Sequence, residues 1–346
     1  MVDAETLRRA LGPLELARSE LNELLFAAQQ SIPQGIRIRS SSVANTLDFP
    51  LHAVPWHPRA FVVDRNDRVS RRLHYAAGQY YIQDVGSLLA VTLLDVQPGD
   101  RVCDLCAAPG GKSTAMLEDL ADSGWLLANE VIHSRGGALQ FNLARHGSPR
   151  YAVTQLDPGQ IGQWIGPVFD RVLVDAPCSG QSLVARGKQT AAAFQPRAIE
   201  HCAARQQRIL DAAVQLVRPG GRLVYSTCTF SYAENEQQVE QLLQANPSWR
   251  SVEMPQLAAW TSPAMAGCYR LWPHRDGVGG AFAAVVERDI DAQQPRDSSS
   301  RPRRTRLGPR ALPDEFSSWG ALNEVHVLAS DQRMFGWPEL LWSTLA

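Results

Sequence analysis

Val172-Leu173-Val174-Asp175-Ala176-Pro177-Cys178 and Leu223-Val224-Tyr225-Ser226-Thr227-Cys228 each read as a strand that closes on a thiol. A thiolate is a covalent nucleophile, and open α/β sheets bind their ligands outside the carboxyl ends of the strands. Ahead of both lies Asp104-Leu105-Cys106-Ala107-Ala108-Pro109-Gly110-Gly111-Lys112-Ser113-Thr114, a strand running through a Pro/Gly turn into a helix. Asp175 puts a carboxylate at the same strand tip as Cys178. One cysteine at such a place is more often packing than chemistry. Two at one rim, beside a glycine turn, predict a cofactor site next to a nucleophile.

Lys112-Ser113 after two glycines invites a P-loop reading, G-x-x-x-x-G-K-[ST]. The first glycine of that pattern falls on Cys106, and Pro109 lacks an amide that a phosphate cradle would use. Nucleotide hydrolysis is disfavoured on both counts. An adenosyl-cofactor loop suits the residues better, because Gly110 and Gly111 let a ligand approach the backbone and amides at a helix start attract a carboxylate or hydroxyl. Glu130 ends the next strand about 20 residues on, where a carboxylate grips ribose hydroxyls. Asp157 follows the third strand and is placed to accept from an adenine amino group. Cys103 and Cys106 have C-x-x-C spacing, but residues three apart in a strand face opposite ways. Cys103, Cys202 and Cys268 are therefore expected to be packing residues.

These groups need a scaffold. Strands are predicted at 101–105, 125–130, 151–155, 170–175 and 222–227, with helices at 112–121, 134–146, 197–217 and 233–244. Such alternation means βαβ units and a parallel sheet. Pro219-Gly220-Gly221 reads as the stop of the long helix, and Ser231-Tyr232-Ala233-Glu234 as a capping box for the next. Gln79 to Leu94 reads as a helix, and residues 268–272 and 280–287 as a closing hairpin. Apolar residues at helical spacing (Leu7, Leu11, Leu14, Leu21, Leu24) predict one or two N-terminal helices. The expected organisation is a small α+β module over 1–77, a catalytic domain over 78–288, a flexible arginine-rich linker over 289–310 and an extension over 311–346.

The chain has 346 residues, 45% of them hydrophobic, enough for one large or two ordinary domains. Its net charge of −1 exerts no global pull on nucleic acid, so an anionic partner must be met by local patches. Lys112 and Lys188 are the only lysines. Six cysteines without an apolar leader read as reduced thiols, and no run of about 18 apolar residues suggests a membrane span. A cytoplasmic protein is expected, as a monomer and without a metal site.

Asp104–Thr114, Asp175–Gly180 and Ser226–Phe230 followed by Glu234-Asn235-Glu236 closely resemble, in order and spacing, the motifs of the Nop/Sun family of RNA cytosine-5 methyltransferases. The resemblance covers about Gly78 to Arg288. It implies a Rossmann-like sheet with an antiparallel last strand, S-adenosylmethionine as methyl donor and ribosomal or transfer RNA as partner. It also implies Cys228 as nucleophile, Cys178 as the group that assists release, Asp175 as a contact to the base and Lys112 near the thiols. Cofactor contacts are implied at Cys106, Ala107, Ala108, Pro109, Gly110, Gly111, Lys112, Glu130, Arg135, Asp157 and Asp175. Sequence alone does not order the two thiols, since DNA cytosine methyltransferases use the one in the Pro-Cys motif.

Departures from the family pattern begin after Gly180. Gln181-Ser182-Leu183-Val184-Ala185-Arg186-Gly187-Lys188-Gln189 stands where members carry a basic, Pro-containing stretch. Arg37, Arg39, Arg59, Arg65, Arg68, Arg71 and Arg72 and the linker arginines are candidate phosphate contacts. A rival reading is an RNA-binding or ribosome-assembly protein that keeps the fold without turnover.

Overall fold

A computed structural model describes residues 2–292, 325–330 and 333–338. Asp3 accepts from the Thr6 amide at 2.8 Å and starts the helix Ala4–Leu11, which is followed by a second, Arg18–Ala27. Their apolar faces do not build a separate module. Leu7, Leu11, Leu14, Leu21 and Leu24 pack on Phe194, Ile199, Phe230 and Trp272 of the large domain.

The arginine-rich segment that follows folds as a small antiparallel sheet. Its strands are β1 (Gln34–Ile38), β2 (His52–Ala53), β3 (Ala60–Val63) and β4 (Tyr80–Ile82), in the order β2-β3-β1-β4. The helix expected over Gln79–Leu94 is thus corrected: a short helical turn spans Val85–Leu88, and α-helix only Leu89–Leu94. Tyr80-Tyr81-Ile82 is an aromatic and β-branched run that suits pairing with β1. Gly78 enters it at a φ of 69°, and Asp84 caps the turn by accepting from the Gly86 amide at 3.0 Å. The small sheet therefore runs past the boundary expected at residue 77.

From Arg101 onward the predicted alternation is realised. Strands β5 (Arg101–Asp104), β6 (Trp125–Asn129), β7 (Tyr151–Thr154), β8 (Phe169–Asp175) and β9 (Val217–Thr227) pair in parallel. The edge is completed antiparallel by β10 (Trp249–Ser251), β11 (Thr261–Ser262), β12 (Met265–Leu271) and β13 (Ala281–Arg288). The main order is β11-β12-β13-β9-β8-β5-β6-β7, with β10 beside β13. Both faces are covered. The Leu89–Leu94 and Gly111–Leu120 helices contribute to the core on one side, and Pro196–Ala213 and Glu236–Ala245 to that on the other.

Two boundary signals did different work from that expected. The long helix stops at Ala213, and Pro219-Gly220-Gly221 lies inside β9, where the register jumps from Phe169↔Val217 to Arg171↔Arg222. No capping box forms at Ser231–Glu234. That stretch is a short turn, the next helix starts at Glu236, and the Glu234 carboxylate is used elsewhere.

Beyond Ala292 the described residues form only a hairpin, β14 (Val325–Ser330) with β15 (Arg333–Pro338). The rest of the expected linker and extension lies outside the described residues. Among the described residues no helix is long and apolar enough to cross a membrane.

Candidate active site at the switch point of the sheet

The chain leaves β5 outward to β6 and β7, then returns to β8 on the other flank of β5. That reversal opens a crevice at the carboxyl ends of the strands. The glycine turn after β5, Asp175 at the end of β8 and Cys228 just past β9 all meet there. A cleft of about 320 Å³ is lined by Cys106, Ala108, Lys112, Arg135, Asp175, Cys178 and Cys228, among others.

Each reactive group is held from two sides. Lys112 Nζ donates to Asp175 Oδ2 at 2.5 Å, and Ser226 Oγ donates to Oδ1 at 2.8 Å. The sulfurs of Cys178 and Cys228 are 3.3 Å apart, both are free thiols, and the Cys228 amide donates to Cys178 Sγ at 3.4 Å. This geometry makes the two unequal. The hydrogen bond from Cys178 lowers the pKa of Cys228, aided by Lys112 and Ser182 and opposed by burial and Asp175. Cys178 is pushed well up, by the same bond, by burial and by the Glu234 carboxylate. Cys228 feels the Lys112 ammonium and Cys178 the Glu234 carboxylate, so Cys228 is the more acidic thiol of the pair. Lys112 itself is raised: burial works against its charge, but Asp175, with Asp104 and Cys228, outweighs that cost.

Sequence reasoning missed the layer beneath the thiols. Glu234 is fully buried and accepts from the Ser179 amide at 2.8 Å, Ser179 Oγ at 2.5 Å and Gln206 Nε2 at 3.0 Å. Gln206 also donates to the Pro177 carbonyl at 3.1 Å. This network ties the Cys178 loop to the segment following Cys228. Glu234 falls in the Glu234-Asn235-Glu236 motif and in a string that reads as a helix cap, and neither points to Ser179. The divergent loop packs into the same place, since Gln181 accepts from the Phe230 amide at 3.1 Å and the Ser182 amide donates to the Cys228 carbonyl at 3.2 Å. Lys188 is exposed, and the Arg186 side chain lies outside the described residues.

Glu130, paired with the cleft-lining Arg135, is buried. Its Oε1 accepts from the Ile132 amide at 2.9 Å. Its Oε2 lies 3.1 Å from Arg135 Nη1 as an ion pair but has no hydrogen-bond partner. Arg135 also donates to the Ala108 carbonyl at 2.6 Å, bracing the turn. Asp104, also buried, takes the Ser113 hydroxyl on Oδ2 at 2.6 Å and leaves Oδ1 without a partner. A buried acceptor on each side of a glycine turn fits a ligand that brings hydroxyl and amine donors, as an adenosyl amino acid does. Asp157 is exposed and caps the Pro158–Ile165 helix, its Oδ1 accepting from the Gly159 amide at 2.9 Å.

The arginine patch divides. Arg37 is buried and Arg59 is half-buried, and both pair with acids of the Gly111–Leu120 helix, so neither is free for phosphate. Arg65 and Arg72 donate to protein carbonyls, and Arg72 also pairs with Asp48. Arg39, Arg68 and Arg71 are exposed.

This strand order, with its antiparallel β13 and β12, and a glycine turn at the switch point define a Rossmann-like class I methyltransferase fold. Two solved structures from Pyrococcus horikoshii share it. A methyltransferase homolog protein aligns with a TM-score of 0.68 at 24% identity over 83% of this chain and 100% of that one. NSun6, solved with SFG, aligns with a TM-score of 0.70 at 18% identity over 84% of this chain and 98% of that one. A family model described as 16S rRNA methyltransferase RsmB/F matches residues 91–287, and one for the N-terminal domain of 16S rRNA methyltransferase RsmF matches 13–85. The chain belongs to the RsmB/F methyltransferase family. Similar curated proteins are the ribosomal RNA small subunit methyltransferases F of Cronobacter sakazakii and Escherichia coli. They are 32% and 34% identical, over 84% and 62% of this chain and 63% and 48% of their own. The chain thus spans about half to three-fifths of the length of these relatives.

Proposed function

We propose that this protein transfers a methyl group from S-adenosylmethionine to carbon 5 of a cytosine in small-subunit ribosomal RNA, in the cytoplasm. The observation that carries the reading is the thiol pair: Cys228 and Cys178 lie 3.3 Å apart in the cleft, which the paired Lys112 and Asp175 also line. The names of the curated relatives support ribosomal RNA as the substrate.

Carbon 5 of cytosine is too weak a nucleophile to attack a methyl sulfonium unaided. The Cys228 thiolate adds to carbon 6, forming a C–S bond and moving the ring's π electrons toward carbon 5. The Lys112–Asp175 pair sets an acceptor and a cation beside the base, the first for its amino group and the second for the charge that addition drives onto the ring. S-adenosylmethionine, when bound, supplies the electrophilic methyl group, and Glu130, Arg135 and the 106–112 turn would hold it. Methylation leaves carbon 5 with a proton to lose. Its removal re-forms the double bond and returns the C–S electrons to Cys228. Cys178 suits that step once it has passed its own proton to solvent, since the thiolate of a thiol with raised pKa is a good base for the carbon 5 proton. The target base must be flipped out or single-stranded for a thiol to reach carbon 6.

The test is transfer of labelled methyl from S-adenosylmethionine to small-subunit RNA from cells lacking the gene, with bisulfite mapping of the product. Label at a single cytosine is expected. Cofactor binding with no 5-methylcytosine in any RNA would favour the binding-protein reading instead.

A further inference from the structure

Arg37 belongs to β1, in the small N-terminal sheet, yet its side chain ends behind the glycine turn of the large domain. It is 1% exposed, and all five of its donors are used. Nε and Nη2 each reach the Glu118 carboxylate at 2.9 Å, and Nη2 also reaches Thr114 Oγ1 at 2.9 Å. Nη1 donates to the Gly111 carbonyl at 2.6 Å and to Gln83 Oε1 at 3.1 Å. Thr114 Oγ1 in turn donates to the Gly110 carbonyl at 2.8 Å. One guanidinium thus spans the first two turns of the helix that begins at Gly111.

The neighbouring strand presses on the same point. A Cβ on Gly111 would lie 2.7 Å from Gln83 Oε1 and 3.3 Å from Tyr81 Cε1. The Tyr81 ring lies 5.4 Å from Arg37 Cζ. So β1 and β4 form the back wall of the turn whose other side lines the cleft.

We propose that Arg37 is a positioning residue for the cofactor loop, and that through it the N-terminal sheet is part of the cofactor site and not only a candidate RNA surface. This rests on the reading of residues 106–112 as that loop. Fixing the Gly111 carbonyl and the Thr114 hydroxyl fixes the turn's backbone, and with it the amides and the Lys112 backbone that face the ligand. A lysine cannot replace the fork, since it has three donors on one atom and no planar bidentate geometry.

Binding of S-adenosylmethionine is measured by calorimetry on the full chain, with KM for cofactor and for RNA and a thermal melt in parallel. Arg37→Lys keeps a charge against Glu118, and Glu118→Gln removes the anchor while keeping its shape. Both are expected to weaken cofactor binding, Arg37→Lys by at least about tenfold, with the KM for cofactor rising far more than kcat or the KM for RNA changes. Arg39→Gln, at the exposed position just past the same strand, should leave cofactor affinity unchanged. Folded variants that bind cofactor as tightly as the wild type, or that lose kcat and both KM values alike, would overturn the proposal. A wild-type chain that binds no S-adenosylmethionine would overturn the functional reading and this inference together.

Discussion

Glu234 holds Ser179 by both its amide and its hydroxyl, at 2.8 and 2.5 Å, and so fastens the residue next to Cys178 onto the segment that follows Cys228. The 3.3 Å contact between the thiols is a consequence of that clamp as much as of the two strands. Glu234→Gln keeps the volume but removes the charge and one acceptor from a buried site where the Ser179 amide, the Ser179 hydroxyl and Gln206 all donate. A buried donor left unmatched costs about 1–3 kcal/mol. The variant should melt lower and lose about tenfold or more in methyl transfer, because the Cys178 loop loses its register. Unchanged melting temperature and rate would remove Glu234 from the account.

Cys228 has a lowered pKa because Cys178 donates to it, with Lys112 adding to the effect. An acid of lowered pKa is ionised at lower pH, so alkylation of Cys228 by iodoacetamide should have its midpoint below the 9.0 of an ordinary thiol. Cys178→Ala and Lys112→Met should each move that midpoint up. Mass spectrometry of the labelled peptide across a pH series gives the curve for each variant. A midpoint that stays put in both variants would show that neither neighbour sets the ionisation.

Burial pushes the Asp104 carboxyl up to about 7, against the opposing effect of the Ser113 hydroxyl. The unfolded value is about 3.9. Between these two pH values the folded chain holds a proton that the unfolded chain has lost, so this group's contribution to stability falls as pH rises from about 4 to about 7. Asp104→Asn lacks the titration. Its stability relative to the wild type should improve across that window, by an amount on the order of 4 kcal/mol at most. Urea melts of both proteins at pH 5 and pH 8 measure it, and a difference that does not change with pH would contradict the shift.

What could be read from the sequence was local. The glycine turn, Asp175-Ala176-Pro177-Cys178 and Ser226-Thr227-Cys228 are short strings whose strand-to-loop pattern also fixes their place at the rim, so motif and fold were found together. Arg37 and Gln206 carry no such signal, and Glu234, though in a quoted motif, gives no sign of Ser179, because each acts on a residue far along the chain. At Asp157 one string serves two readings, since Asp-Pro-Gly also caps a helix and Oδ1 makes that cap. At Gln79–Leu94 a continuous apolar pattern concealed a strand, since Tyr80-Tyr81-Ile82 is committed by pairing with β1 and not by its own period.

The central claim is that Cys228 bonds to the base and Cys178 releases it. Wild type, Cys178→Ala and Cys228→Ala are each incubated with small-subunit RNA and S-adenosylmethionine, denatured, and resolved by electrophoresis. A denaturant-stable protein–RNA adduct is expected to accumulate with Cys178→Ala, and neither adduct nor methylation with Cys228→Ala. An adduct that persists in Cys228→Ala and vanishes in Cys178→Ala would reverse the two roles.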